Sequence, residues 1–127
     1  MTYDCIPLFK RITQTLQGNP CCSLGELSQE LQVSRRTIER TVFTAFRKTF
    51  QGLRKQILIE RLTAIFASHP SVAIKQVSFD LGYNSPSAFA RAVKCACGRS
   101  PEQLRSRIIG DLLSRRTQIL AKEGLES

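Results

Sequence analysis

Apolar residues recur at helical spacing along most of the chain, and this periodicity predicts an all-α fold of about seven helices. The first helix is expected over residues 5–17, and the turn Gly18-Asn19-Pro20 ends it. Its apolar face consists of Leu8, Phe9, Ile12 and Leu16. The spacing of these residues indicates a helix that buries one side against the rest of the chain.

A second and a third helix follow, each with a capping signal at its start. Ser23-Leu24-Gly25-Glu26 has the S-x-x-E form of a capping box and opens a helix whose inner face is Leu24, Leu27 and Leu31. Gln32-Val33 turn the chain, and Ser34 is placed to cap a helix over residues 35–46. That helix is expected to bury Ile38 and Val42.

The same arrangement returns later in the chain. Ile74, Val77 and Leu81 predict a short helix and Gly82 a tight turn. Ser85-Pro86 then caps a helix that turns Phe89 and Val93 inward. The caps Ser34 and Ser85 lie 51 residues apart (85 minus 34), and the second turn is one residue longer. Helix, turn and capped helix is the plan of a helix-turn-helix unit, so the sequence predicts two of them.

One long helix is expected between the two units, over residues 50–67, because no glycine follows Gly52 and no proline precedes Pro70. At about 1.5 Å per residue it measures roughly 27 Å, close to the ~34 Å between successive major-groove entries on one face of DNA. We therefore expect a linker helix that holds the two units beside adjacent grooves. His69, in the break after this helix, is expected to be solvated there or to face the helix C-terminus, not to bind a ligand.

The chain divides accordingly into three predicted segments. Residues 1–68 form a helix-turn-helix lobe with the linker helix from about 50, residues 69–108 a second lobe, and residues 109–127 a helical tail. Ser100-Pro101 starts a helix that packs back through Leu104 and Ile108. The tail has Gly110 as a weak point and is either an extra helix on the domain or a seam for a dimer or another partner. Its apolar positions are Ile109, Leu112, Leu113, Ile119 and Leu120.

The charge of the chain favours a polyanionic partner. Nineteen Lys and Arg residues against ten Asp and Glu leave a net charge of +9, which suits nucleic acid first and an anionic membrane surface second. No run of about 18 apolar residues predicts a membrane span, and the N-terminus has no secretion signal. We expect a protein of the cytoplasm, associated with the nucleoid and not with membrane.

The titratable residues do not form a catalytic pattern. With one histidine, scattered carboxylates and no glycine-rich phosphate loop, we expect neither an enzyme nor a bound cofactor or metal. Five cysteines, at positions 5, 21, 22, 95 and 97, lack zinc-finger spacing, and an odd number in the reducing cytoplasm makes a disulfide framework unexpected. A thiol- or metal-responsive regulator stays open as an alternative, while Cys97 is expected to pack as a small hydrophobe.

Residues on the outward face of each reading helix are the candidates for contact with bases, because the first turns of such a helix enter the major groove. The base-reading candidates are Arg36, Glu39 and Arg40 in the first unit and Ser87, Ala88 and Arg91 in the second. Arginine binds guanine through two hydrogen bonds, Glu39 can accept from a cytosine amine, and Ala88 can touch a thymine methyl. The phosphate candidates are Ser34, Arg35, Arg47, Lys48, Arg54, Lys75, Asn84, Ser85 and Lys94.

From about Leu8 to Arg107 the chain resembles the DNA-binding domain of the AraC/XylS transcription regulators. The second unit carries the specific part of the resemblance, through Ile74, Val77, Leu81-Gly82-Tyr83, Ser85, Ser87, Phe89, Arg91, Val93-Lys94, Gly98, Ser100-Pro101 and Arg105. The first unit matches through Leu24, Leu27, Ser34, Arg36-Thr37-Ile38, Arg40 and Thr49. The chain departs from the family pattern near Arg47, where glycine is usual, after Thr49, where proline is usual, and at Leu53 and Leu58, where an aromatic and an arginine are usual.

The resemblance implies a small stand-alone member of this family, without a separate effector domain. Such a protein binds double-stranded DNA at an asymmetric site as a monomer and activates transcription through contact with RNA polymerase. A dimer through the C-terminal helix is the alternative assembly. The alternative functions are an architectural, largely sequence-blind DNA-binding protein and a protein–protein adaptor that uses the C-terminal helix.

Overall fold

The computed structural model describes the backbone of residues 6–125 and the side chains of residues 6–115. Seven α-helices follow one another, and no strand occurs within this range. The helices are α1 (Ile6–Gly18), α2 (Leu24–Leu31), α3 (Arg35–Phe46), α4 (Phe50–Ser68), α5 (Ile74–Asp80), α6 (Pro86–Cys97) and α7 (Pro101–Leu125). The all-α architecture and the number of helices agree with the sequence-based expectation.

Side-chain caps fix the starts of most helices. Ser23, Ser34 and Ser85 each accept a hydrogen bond from the backbone N–H three residues later, at 3.1 Å, which confirms the three predicted caps. Thr49 caps α4 in the same way, again at 3.1 Å. At the start of α7, Ser100 Oγ accepts from the Gln103 N–H while Gln103 Oε1 accepts from the Ser100 N–H, so both donors are satisfied.

Two hydrophobic cores lie side by side, and α4 belongs to both. The first core joins α1, α2, α3 and the first half of α4, and the second joins the rest of α4 with α5, α6 and α7. Ile57 is buried in the first core and its neighbour Leu58 in the second. The apolar residues of α4 therefore face two directions, and the predicted linker helix is confirmed as a shared wall of two lobes.

The lobes also meet away from α4. Cys21 Sγ, in the loop between α1 and α2, lies 3.0 Å from the carbonyl oxygen of Gly82 in the turn of the second unit. The same sulfur lies 2.9 Å from Asn19 Oδ1. Gly82 has φ +92°, and a Cβ on it would stand 2.6 Å from Asn19 Oδ1, so only glycine fits this contact without displacement.

The C-terminal helix α7 begins on the second lobe and continues beyond it. Leu104 and Ile108 are buried, whereas Leu112 and Leu113 are 40% and 58% exposed. The helix runs through Gly110 without a break, so the expected weak point does not interrupt it. The predicted apolar positions Ile119 and Leu120 have side chains outside the described part, and Cys5 lies outside the described residues altogether.

Arg105 fastens α7 to the loop that precedes α5. Its Nη1 donates a hydrogen bond of 2.6 Å to the Val72 carbonyl oxygen, and its guanidinium carbon stands 5.9 Å from the centre of the Phe66 ring. The side chain is half-buried. This arginine therefore joins three elements of the second lobe, namely α4, the α4–α5 loop and α7.

Candidate nucleic-acid interface

The outward side of α3 is a narrow stripe of cationic and aromatic side chains. Arg36, Arg40, Phe43 and Arg47 follow one another at intervals of four, three and four residues, opposite the buried Ile38. All four are exposed. The predicted base-reading pair Arg36 and Arg40 thus stands on the face turned away from the core, as expected.

Glu39 lies at the edge of this stripe, beside a shallow depression between α3 and the start of α4. Glu39 is itself exposed, as predicted for a base-reading side chain. The depression is lined by Leu24, Glu39, Phe43, Thr49, Phe50 and Gln51. It is mostly apolar at its base because Phe50 belongs to the first core.

The outward side of α6 carries Ser87, Arg91 and Lys94, all exposed. Ala88 differs from the expectation, since it is half-buried and turns towards the gap between the lobes. That gap is a cavity of about 440 Å³ lined by Pro20, Cys21, Gln51, Arg54, Lys55, Leu58, Tyr83, Ala88, Ala92 and Cys95. Ala88 therefore flanks the reading face of α6, and Ser87 and Arg91 form its centre.

Gln51 connects the surroundings of the two reading helices. It lines both the depression beside α3 and the cavity beside α6. Gln51, in the first turn of α4, therefore lies between the depression beside α3 and the inter-lobe cavity beside α6. Of the residues that line the inter-lobe cavity, Arg54 and Lys55 are cationic and none is acidic.

Several predicted phosphate ligands stand free at the surface, namely Arg47, Lys75, Asn84 and Lys94. The hydroxyls of Ser34 and Ser85 accept hydrogen bonds from the Thr37 and Ala88 N–H groups, so both predicted phosphate ligands act as helix caps. In α6, Pro86 at the first helical position has no N–H group, so this helix start has fewer backbone donors than that of α3.

The other predicted phosphate ligands have partners within the protein. The Arg35 guanidinium lies over Gly25, where an added Cβ would come within 2.8 Å of its Nη2. Lys48 Nζ lies 3.4 Å from Gln56 Oε1 and 5.4 Å from the centre of the Phe46 ring. Arg54 Nη1 donates to the Cys22 carbonyl oxygen at 3.3 Å, and its side chain is half-buried. Arg54 therefore has a structural role that the sequence did not indicate.

Phe43 is the residue of this face that the sequence-based reasoning missed. It follows the buried Val42 directly, so a count of apolar positions assigns it to the core. Its 56% exposure shows otherwise. The spacing of seven residues from Arg36 and three from Arg40 would have placed it on the outward stripe.

Three of the four described cysteines are partly or fully buried, and Cys95 is exposed. Burial, and then the nearby Glu26 carboxylate, raise the pKa of both the Cys21 and the Cys22 thiols above the ordinary value. Cys97 packs against the second core, as predicted. In the part of the chain that the structure describes, no three His, Cys, Asp or Glu side chains are grouped to hold a metal ion.

None of the described helices combines the length and the apolar character needed to cross a membrane.

A family model described as a helix-turn-helix domain, of the AraC type, matches residues 27–107. This range begins within α2 and ends within α7, so it contains both reading helices and the whole of α4. No curated protein sequence matches the chain.

Solved structures with the same arrangement of helices come from three organisms. The C-terminal domain of AraT, a response regulator from Geobacillus stearothermophilus, is 24% identical, with a TM-score of 0.66 over 83% of this chain and 88% of that one. The C-terminal domain of the two-component response regulator yesN from Fusobacterium nucleatum is 18% identical, with a TM-score of 0.62 over 78% and 95%. A DNA-binding transcriptional dual regulator from Escherichia coli K-12 is 20% identical, with a TM-score of 0.57 over 79% and 90%. At these identities the likeness concerns the fold.

Proposed function

The chain belongs to the AraC/XylS family of DNA-binding helix-turn-helix transcription regulators, and from this membership we propose that it recognises a specific DNA sequence by inserting α3 and α6 into adjacent major grooves. The observation that carries the proposal is the position of Gln51 in α4, between the depression beside α3 and the cavity beside α6, together with the exposed arginines of both helices. Two reading helices on one surface can engage one side of a duplex at the same time. The α4 helix, which at about 1.5 Å per residue is roughly 28 Å long, sets their separation.

Base recognition in this proposal comes from the outward residues of the two helices. Arg36 and Arg40 donate to guanine and Glu39 accepts from cytosine in one half of the site. Ser87, Ala88 and Arg91 act in the other half, where the methyl of Ala88 reaches a thymine from the flank. The exposure of Arg36, Arg40, Ser87 and Arg91 supports these roles.

Phosphate contacts hold the protein in register without selecting sequence. We assign them to the starts of α3 and α6 at Ser34 and Ser85, to Asn84, and to the basic side chains Arg35, Arg47, Lys48, Arg54, Lys75 and Lys94. Arg54 contributes to this set only if DNA closes over the inter-lobe cavity, because its guanidinium lies there. The net charge of +9 favours all of these contacts.

The proposed organisation is a first reading lobe with α4, a second reading lobe, and the distal part of α7 as a separate tail. We propose that the protein acts as a monomer on the nucleoid in the cytoplasm and activates transcription by contacting RNA polymerase. In the alternative assembly the protein forms a dimer, and the exposed Leu112 and Leu113 of the tail form its interface.

An architectural DNA-binding protein is the second candidate function, because a basic surface alone serves it. The distribution of charge favours the first candidate. Arg36 and Arg40 in α3 and Arg91 in α6 stand on the outward sides of two capped helices. An architectural role does not require arginines at matching positions of two reading helices.

Selection from random duplexes tests the proposal. The protein is incubated with duplexes of random sequence, bound molecules are recovered over several rounds, and the selected site is measured in competition with a scrambled duplex. We expect two short conserved blocks about one helical turn apart, and a preference of at least ~10³-fold over the scrambled duplex. Recovery of random sequences with equal affinity for both duplexes would instead establish the architectural function.

A further inference from the structure

Phe43 is an exposed aromatic side chain on the reading face of α3. Its ring is 56% exposed and stands between Arg40 and Arg47 on the outward stripe. An aromatic ring in water leaves a large apolar surface uncovered. A partner that binds the cationic neighbours along the stripe and also contacts this ring is anionic overall and offers an apolar group at this point.

The surroundings of Phe43 extend this apolar surface. The ring lines the shallow depression beside α3 together with Leu24 and Phe50, and the polar members of that lining are Glu39, Thr49 and Gln51. Phe50 is only 3% exposed and forms its base. Position 43 is therefore one wall of a concave apolar surface that adjoins two predicted base-reading side chains, Glu39 and Arg40.

The second unit has a residue of different chemical character at the position equivalent to Phe43. The offset of 51 residues between the reading helices pairs Phe43 with Lys94, which is also exposed. A lysine extends a charge towards phosphates, whereas a phenylalanine offers only apolar contact. The two reading helices thus have equivalent arginines, Arg40 and Arg91. One turn further along they differ, because the first has Phe43 and the second has Lys94.

We propose that Phe43 reads the 5-methyl group of a thymine in the half of the site bound by α3. Among the base edges of the major groove, thymine alone presents an apolar group, and phenylalanine is one of the side chains that contact it. The inference rests on the proposed function, and it requires α3 to follow the groove as far as its third turn, where Phe43 lies. It adds to the first half-site a methyl contact one turn beyond Arg40, at the position where the second unit has Lys94.

The test removes the methyl group and the ring separately and together. In the site obtained by selection, each thymine is replaced in turn by deoxyuridine, which lacks only the methyl group. Binding of the wild type and of Phe43→Ala is measured for every duplex. In the half-site bound by α3 we expect one thymine, or two neighbouring ones, at which the replacement weakens wild-type binding about fourfold, which is the contribution of one buried methyl group. For Phe43→Ala the same replacement has no effect. A thymine read by Ala88 lies in the other half-site, and its effect should be the same in the wild type and in Phe43→Ala.

Two variants complete the design. Phe79→Ala removes a ring of similar exposure, 47%, from α5 and should leave the deoxyuridine profile of the wild type unchanged. Phe43→Lys introduces the residue of the second unit and should abolish the methyl effect while increasing the salt dependence of binding by about one unit of log–log slope.

The outcomes separate this inference from the proposed function. Loss of the methyl effect in Phe43→Ala alone supports it. A deoxyuridine profile that is the same in the wild type and in Phe43→Ala overturns it, even if Phe43→Ala weakens binding, because the ring then contacts sugar or nothing. In that case a retained preference for the selected site keeps the proposed function intact. The absence of any selected site would contradict the proposed function itself.

Discussion

Two residues of the first unit adopt a left-handed backbone conformation that glycine provides in the second. Gln32 ends α2 with φ +56° and Arg47 ends α3 with φ +61°. The corresponding residues after α5 and α6 are Gly82 and Gly98, with φ +92° and +77°. The left-handed conformation costs a residue with a Cβ roughly 1–2 kcal/mol of conformational free energy. The first unit therefore carries backbone strain that the second avoids.

Replacing Gln32 by glycine should therefore stabilise the protein. We expect Gln32→Gly to raise the free energy of unfolding by about 0.5–1 kcal/mol, because relief of the strain exceeds the added entropy of the unfolded chain. Denaturant unfolding at equilibrium measures the change. Gln29→Gly, an exposed position inside α2, is the matched control and should lower stability by about 1 kcal/mol. Equal destabilisation by both variants would show that the strain at Gln32 has no energetic consequence.

Arg105 illustrates a basic residue whose role is in the fold. Its hydrogen bond to the Val72 carbonyl and its place beside the Phe66 ring are both lost in Arg105→Ala. We expect the free energy of unfolding to fall by about 2–3 kcal/mol, since a partly buried carbonyl also loses its charged donor. Unfolding by urea provides the measurement.

Arg107→Ala is the control for that variant, because Arg107 is exposed on the same helix and carries the same charge. It should change stability by less than about 0.5 kcal/mol. If the two variants lost equal stability, the contacts of Arg105 with the loop and the ring would not be what holds α7 to the second lobe.

At the scale of single helices, local sequence signals were sufficient to predict where the two reading helices begin. The bounds of α3 and α6 follow from Ser34 and from Ser85-Pro86, because a cap and the next two turns are adjacent in sequence. The length of α4 was likewise predictable, since nothing interrupts its apolar residues before His69. These features depend on neighbours within one or two turns.

Features that depend on distant residues were not predictable. Arg54 and Cys22 are 32 residues apart, so the hydrogen bond that ties this arginine to the first lobe leaves no mark in the spacing of either segment. Phe43, in contrast, was predictable from its spacing to Arg36 and Arg40 and was overlooked because it directly follows the buried Val42. The continuity of α7 through Gly110 was missed because the cost of an exposed helical glycine, about 1 kcal/mol, is smaller than a break would require.

Removal of an arginine from one reading helix should affect recognition of only the half-site that this helix contacts. We expect Arg40→Ala and Arg91→Ala each to weaken binding of the selected site by about 1–3 kcal/mol and to relax sequence preference in one half only, a different half for each. Selection repeated with each variant measures this. Lys48→Ala is the control, because a phosphate ligand should weaken all sequences alike and reduce the salt slope by about one. An unchanged preference in Arg40→Ala would mean that α3 does not read bases.

For the whole molecule, the separation of the reading helices is set by contacts at two places. One is α4, which is buried in both cores through Ile57 and Leu58. The other is the contact of the Cys21 loop with Gly82. With two attachments the lobes cannot turn freely about α4. Under the proposed function, a duplex must then present its half-sites at one distance and one angle. Rigid coupling of this kind raises affinity for the matching spacing and lowers it for others.

Gly82→Ala tests the second attachment, and the chain offers a matched control. Both Gly82 and Gly98 have positive φ, so alanine is strained at either position. At Gly98 no atom stands within 4 Å of an added Cβ, whereas at Gly82 the Cβ would lie 2.6 Å from Asn19 Oδ1 and 3.2 Å from Cys21 Sγ, so these side chains must shift and the contact between the lobes is disturbed. Gly98→Ala therefore measures the strain alone, and Asn19→Ala in the Gly82→Ala background removes the closest of these contacts.

The readout is binding to the selected site with one base pair inserted between its halves, which turns one half by about 34° around the duplex axis. The wild type and Gly98→Ala should bind this duplex at least tenfold more weakly than the natural spacing, because two fixed helices cannot follow the rotation. Gly82→Ala should bind both duplexes with similar and intermediate affinity, and the additional Asn19→Ala should restore part of the discrimination. If Gly82→Ala kept the full spacing preference, α4 alone would hold the lobes in place and the contact at Cys21 would be incidental.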